Sequence, residues 1–186
     1  MNGNIVVAQV LDTLLGAVTI PDDKKPDRKI HYEYEELYMV HYSSGFKDYY
    51  YSQDTLRGNY FTRDEMMMFI HGEQDGRKGF KANGCLITGM VLGFGAGATG
   101  TYFGPILPYS FMAASGITKV RIRHSTISNP NYIDSDAYIL GYERSARYKR
   151  KVKSLIGGTI GLALGYGAYF AIFKSYFDGG SVIQFK

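Results

Sequence analysis

Few residues in this 186-residue chain have the type and spacing that chemistry needs. His31, His41, His71 and His124 are scattered along it. A metal site takes three or four ligands, and only His31 and Glu33 can share a strand face, so surface or packing roles are expected. The run Met66-Met67-Met68 offers thioethers, but nothing around it supplies a soft-metal context, and packing is the expected role. Cys85 is the sole cysteine. It can form no intramolecular disulfide and has no obvious base beside it, so a buried structural thiol is expected. Gly95-x-Gly97-x-x-Gly100 has the form of a dinucleotide-binding turn, the one feature that would favour a soluble nucleotide-binding enzyme. Such a turn opens a long helix and is followed about 20 residues on by an acid. Here Pro105 follows almost at once, and no Asp or Glu occurs between Lys81 and Asp134. No phosphate-loop motif, Ser/His/Asp set or paired carboxylates stand out. The residues give no candidate catalytic group, cofactor site or metal site.

Spacing of another kind dominates. Residues 84–104 and 155–173 are apolar and contain no ionisable side chain apart from Cys85, Tyr102, Tyr166 and Tyr169. Each carries glycines four apart: Gly89, Gly93 and Gly97 in the first, Gly157, Gly161 and Gly165 in the second. Glycine costs roughly 1 kcal/mol relative to alanine inside a helix in water. In a bilayer, a small residue every fourth position makes a smooth face on which two helix backbones approach closely. The six glycines are therefore expected to be helix-packing residues of two membrane segments. Neither segment carries the buried charge of an ion or proton path, which argues against a transporter or motor working through its own helices.

The charge pattern agrees. Between the two segments lie Lys119, Arg121, Arg123, Arg144, Arg147, Lys149, Arg150, Lys151 and Lys153, opposed there by Asp134, Asp136 and Glu143. A short basic loop is the usual cytoplasmic signature of an inner-membrane protein. Arg144, Arg147, Lys149, Arg150, Lys151 and Lys153 are the candidate lipid-headgroup residues, each cation near an anionic surface contributing about 1 kcal/mol. The partners expected are membrane lipid and other proteins or further copies of the chain, not nucleic acid. Residues 1–20 lack a basic region ahead of their apolar run, and Asp12 interrupts it, so no signal peptide is recognised.

The elements that position these residues can be read coarsely. Residues 1–61 are expected to form a small antiparallel β-domain. Residues 11–20 read as a strand ended by the turn-rich 21–27. In 29–34, Ile30, Tyr32 and Tyr34 alternate with His31 and Glu33. Residues 37–42 and 46–51 flank Ser43-Ser44-Gly45 as a hairpin. Aliphatic residues are few here, so tyrosine must supply much of the packing of three to five strands. Thr62-x-x-Glu65 is a capping-box pattern opening a helix, with Asp64 and Glu65 at its positive end and Arg77, Lys78 and Lys81 toward its negative end. Residues 62–117 then comprise this amphipathic helix and the first glycine-rich segment. Residues 118–186 comprise a basic linker, with 119–127 alternating like a strand, and a second helix. That helix is capped by Asp134 or Ser135 and runs directly into the second glycine-rich segment.

The two helical units look alike. Phe69-Ile70-His71-Gly72 parallels Tyr138-Ile139-Leu140-Gly141, and each leads through a basic cluster to Leu-Ile and then to the spaced glycines. As a repeat, both segments would enter the membrane in one direction, with residues 105–117 as a re-entrant return. The segment lengths instead favour two antiparallel full spans.

The order of DTLLGAVTI, GFKDYYYSQD, GEQDGRKGF and GYERSARYKRKVKSLIGGTIG resembles that of an uncharacterised type of Bacteroidota membrane-associated protein, and the apolar segments resemble glycine-zipper stretches of bacterial envelope proteins. The likeness fits an α+β membrane protein and does not imply a reaction. The expectation is thus a structural or accessory subunit of a cell-envelope complex, with an anionic-lipid- or ligand-binding membrane protein as the alternative.

Overall fold

The computed structural model describes residues 3–13 and 16–173. Leu14 and Leu15 of the expected first strand, and 174–186 of the expected last region, lie outside the described residues. The chain is mixed α+β, with a small antiparallel β region in two sheets followed by helices. It divides into two compact units. One comprises the residues up to Gln74 together with Asn131–Gly141; the other comprises Asp75–Pro130 and the residues from Tyr142 on.

In the first unit, β1 (Ala17–Asp22) pairs with β2 (Lys25–Glu33) and β3 (Met39–His41) with β4 (Lys47–Tyr49). The stretch 21–27, expected as a turn, is mostly strand. Only Asp23 and Lys24 turn, and the Asp22 carboxylate accepts from the Lys24 N–H at 3.0 Å. Ile30, Tyr32 and Tyr34 are half-buried while His31 and Glu33 are exposed. The single sheet of three to five strands does not form; two hairpins take its place. Tyr34, just after β2, meets Tyr50, just after β4, at 4.4 Å between ring centroids and so links the two hairpins, while Tyr38 and Tyr51 meet at 6.0 Å across the open end of the second. Burial first, then a hydrogen bond to Asp48, pushes the Tyr50 hydroxyl's pKa up.

Helix α1 (Arg63–Gly79) opens with the capping box. The Thr62 N–H donates to Glu65 Oε2 at 2.8 Å, and the Glu65 N–H donates to Thr62 Oγ1 at 3.3 Å. Met66 and Phe69 of α1 join Tyr51 and Ala137 in the core of this unit and Met68 packs against it, whereas Met67 is exposed. His71 stacks on Tyr132 at 5.3 Å, and Thr19 Oγ1 lies 2.9 Å from His31 Nδ1.

The second unit is helical. Helix α2 (Asn83–Ala98) ends before Gly100, whose φ of 67° turns the chain. Helix α3 (Ile106–Ser115) comes next. Residues 119–123 are not a strand. Val120 is buried between exposed Lys119 and Arg121, so the alternation reflects extended chain with one buried side and no ladder partner among the described residues. Helix α4 (Asp136–Ala168) begins in the first unit, where the Tyr138 N–H reaches Ser135 Oγ at 3.5 Å. It continues unbroken through the basic cluster into the second glycine-rich segment, closing in a π-helical turn, Tyr169–Phe173.

The Thr62 backbone N–H first, then its hydroxyl, holds the Glu65 carboxyl below the ordinary carboxylate range. A lowered carboxylate pKa adds stability that is present above the unfolded value and lost as pH falls through the folded one. Replacing Glu65 by Gln should therefore lower the melting temperature at pH 7, by an amount that shrinks as pH falls through the acid range, read by far-UV circular dichroism. Thr62→Ala should cost about 1 kcal/mol at pH 7.

Candidate functional site: a glycine seam under a basic cleft

The helical unit is organised by backbone contact between α2 and α4. A Cβ built on Gly89 would stand 2.6 Å from the Ser154 carbonyl oxygen, and one on Gly97 would stand 2.8 Å from that of Leu162. On Gly93 it would meet the Gly158 carbonyl. From the other side, a Cβ on Gly157, Gly161 or Gly165 would run into the carbonyls of Leu86, Met90 and Phe94 in turn. All of these approaches are closer than the 3.0 Å that real Cβ atoms keep. The structure thus brings all six spaced glycines into one seam, three from each helix.

The seam also fixes direction. Gly89, Gly93 and Gly97 meet Ser154, Gly158 and Leu162, so the contact points advance together along both helices and α2 and α4 run parallel. This corrects the antiparallel pair that the segment lengths favoured. The physical reason is the break at Gly100, which stops α2 short and lets α3 return. Pro108 packs on Gly158, Ser115 Oγ accepts from Ser154 Oγ at 3.1 Å, and Arg150 reaches Thr118, so α3 runs back antiparallel to α4. The parallel direction could have been inferred from the sequence repeat. The return could have been inferred from Gly100, Gly104, Pro105 and Pro108, which together mark a turn inside an apolar run.

The turn between α2 and α3 satisfies its own polar groups. Tyr166 donates to the Thr101 carbonyl at 2.6 Å, Thr99 Oγ1 to the Ala96 carbonyl at 2.7 Å, and the Gly104 N–H to the Thr101 carbonyl at 3.1 Å. The Tyr169 ring lies against Gly100.

Apolar side chains are distributed around the seam in an unusual order. Gly89, Gly93, Ala96 and Gly97 are the buried residues of α2, while Ile87 is 61% and Val91 64% exposed. On α4, Gly157, Gly161 and Leu162 are buried, but Ile156, Ile160 and Leu164 are exposed. The smallest residues face inward and most of the large aliphatic ones outward. Helix α4 is the one described helix long and apolar enough to cross a membrane.

The six basic residues singled out by sequence separate into two groups. Arg147 pairs with Glu143 at 2.6 Å. The Lys149 ammonium donates to the carbonyls of Arg77 and Phe80, where α1 ends. Burial first, then Lys153 and Arg77, lowers its pKa. Arg150 donates to Thr118 Oγ1 at 2.7 Å and to the Thr118 carbonyl at 3.0 Å, with its guanidinium 5.4 Å from the centre of the Phe80 ring. Arg144, Lys151 and Lys153 are exposed. Sequence reasoning missed Lys78 and Lys81 as partners of this group. The structure places both in one cleft with Lys149 and Lys153.

Gly95 and Gly97 lie inside α2 rather than at a helix opening, and Gly97 is packed against α4. The Gly-x-Gly-x-x-Gly pattern is therefore at the wrong end of a helix to cradle a pyrophosphate. Cys85 is half-buried in the first turn of α2. Among the described residues, no three His, Cys, Asp or Glu side chains converge as a metal site. No protein-family model, curated protein or solved structure matches the chain.

Gly93→Leu and Gly161→Leu should each destabilise the protein in detergent by about 3 kcal/mol, the upper end for overpacking, since the obstruction is backbone and cannot rotate away. A Cβ on Gly95 would meet nothing within 4 Å. Gly95→Ala should therefore leave thermal stability unchanged or raise it by up to about 1 kcal/mol through helix propensity. Differential scanning fluorimetry of the three variants measures the contrast.

Proposed function

We propose that this chain is a non-enzymatic membrane protein, a structural or accessory subunit of a cell-envelope complex. In this reading α4 spans the bilayer, and α2 and α3 enter it as a re-entrant hairpin seated on α4 through the glycine seam. The carrying observation is the sidedness of the apolar residues. In water, burying aliphatic surface stabilises by about 25 cal/mol per Å², so a water-exposed unit with glycine inside and Ile87, Val91, Ile160 and Leu164 outside forgoes its main driving force. In lipid the outward side chains are solvated by acyl chains. Helix association then rests on close van der Waals approach and Cα–H···O contacts, which the glycine faces permit.

Lengths support the re-entrant arrangement. At about 1.5 Å per residue, residues 155–173 cover about 28 Å, close to the roughly 30 Å of a hydrocarbon core. Helix α2 has 16 residues and α3 has 10. These give about 24 and 15 Å, short of a crossing. Non-helical backbone at membrane depth is tolerated where its polar groups are satisfied inside the protein, and the bonds around Thr101 and Gly104 supply such partners. Lys149 meets the turn before α2, Arg150 meets Thr118 after α3, and Ser154 meets Ser115. The hairpin thus enters and leaves at the basic end of α4. The positive-inside rule then favours a cytoplasmic location for that end and an inner-membrane location for the protein. The Tyr-rich β unit is the part suited to contacts with other proteins or further copies of the chain, tyrosine being an effective contact residue at interfaces.

Single cysteines introduced at Lys81, Tyr102 and Thr118 in a Cys85→Ser background test the topology. An impermeant maleimide applied to one face of sealed vesicles should label 81 and 118 together and leave 102 unlabelled from either face. Labelling of 81 and 118 from opposite faces would show two full crossings. Ready labelling of 102 in intact vesicles would place the hairpin tip in water.

A further inference from the structure

We propose that the cleft beside the α1–α2 turn, within the helical unit, binds a phosphate-bearing anion, and that the source its surroundings favour is an anionic phospholipid headgroup. The choice of source rests on the membrane reading above; the cleft itself does not. The cavity is about 420 Å³, ample for a headgroup phosphate and its glycerol. Lys78, Lys81, Lys149 and Lys153 line it, and no carboxylate does. Lys149 is engaged by the carbonyls at the end of α1. Lys78, Lys81 and Lys153 are exposed and have no hydrogen-bond or ion-pair partner among the described residues.

The unit cannot neutralise this group from within. Its acids among the described residues are Asp75 and Glu143, which are engaged with Ser128 and Arg147. Like charges gathered in one concavity repel, and an anion placed among them relieves that repulsion. Around the cations stand groups that suit a phosphate ester. Asn83 lines the cleft and offers an amide, while Phe80 and Tyr148 give it apolar walls. The first turn of α2, at the same place, carries no acidic residue and no side-chain cap at Ala82, so the positive end of that helix adds to the field.

The surface further along both helices selects lipid over a free phosphoanion. One turn beyond Asn83, Ile87 is exposed on α2. A turn beyond Lys153, Ile156 is exposed on α4. Concentrated positive charge leading into exposed aliphatic surface matches an anionic headgroup with its acyl chains. The site differs from the row of cations along α4, because two of its free lysines come from elsewhere in the chain, Lys78 from the last turn of α1 and Lys81 from the turn that follows it.

The test is a titration of the detergent-solubilised full chain with fluorescent phosphatidylglycerol and, separately, fluorescent phosphatidylcholine. Wild type should prefer phosphatidylglycerol. The double variant Lys81→Gln/Lys153→Gln should lose about thirtyfold in affinity for it and little for phosphatidylcholine. The double variant Arg121→Gln/Arg123→Gln, which removes the same charge elsewhere in the unit, should stay within about threefold of wild type. Equal losses in both double variants, or no preference in wild type, would overturn the proposal. Glycerol phosphate is the competitor that separates the sources. Failure to displace the lipid supports the headgroup, whereas displacement at low concentration overturns the lipid assignment in favour of a soluble phosphoanion. Fractionation of the wild type without detergent is run alongside. A chain found in the aqueous phase fails the membrane reading, while the glycerol phosphate arm still reads the cleft.

Discussion

The close approach of two helix backbones, with no side chain between them, is the constraint on which the helical unit depends. Six glycines create it, three on α2 and three on α4, each facing a carbonyl or amide of the other helix. Because the contact is backbone to backbone, it tolerates no enlargement and fixes register in steps of one helical turn. That register sets the parallel direction of α2 and α4, the room for α3 to return along α4, and the position of Pro108 over Gly158. Most of the large aliphatic residues, Leu162 apart, are left with no fully buried place. Their outward position is a consequence of the seam.

A second set of interactions closes the same end of the hairpin by charge. Lys149 takes the carbonyls where α1 ends, and Arg150 holds Thr118 where α3 has returned. These two cations fasten entry and exit to α4. Their neighbours Lys78, Lys81 and Lys153 are left to face a cleft. One basic cluster therefore has two kinds of members, those that hold the hairpin and those that can meet an anion. The division is invisible in a count of charges.

Legibility in the sequence tracks the range of the interactions. The capping box at Thr62, the Ser43-Ser44-Gly45 hairpin, the alternation of Ile30, Tyr32 and Tyr34, and the unbroken helix from the basic cluster into the second apolar segment are set by residues within a few positions of one another. All can be read from local pattern. The spaced glycines were legible as a packing face, but not the identity of their partner, because a small-residue stripe fits another copy or another protein as well as its own chain. The antiparallel expectation failed at Gly100. Counting residues 84–104 as one span ignored a left-handed glycine that ends α2 early. The alternation in 119–127 misled for a related reason, since a period of two reports one buried side of an extended chain and not the presence of a ladder partner. Lys78 and Lys81 were passed over as site residues because they lie some 70 positions from Lys149, which they join only in three dimensions.

The central claim is that lipid lies against the outward faces of the glycine-packed helices. Spin labels at Val91, Ile160 and Leu164, with one at Arg144 as the aqueous reference, test it most directly in reconstituted vesicles. The account requires the first three to collide readily with molecular oxygen and poorly with a water-soluble nickel chelate, and Arg144 to show the reverse. High nickel accessibility at Val91, Ile160 and Leu164 together would place those faces in water and contradict the account.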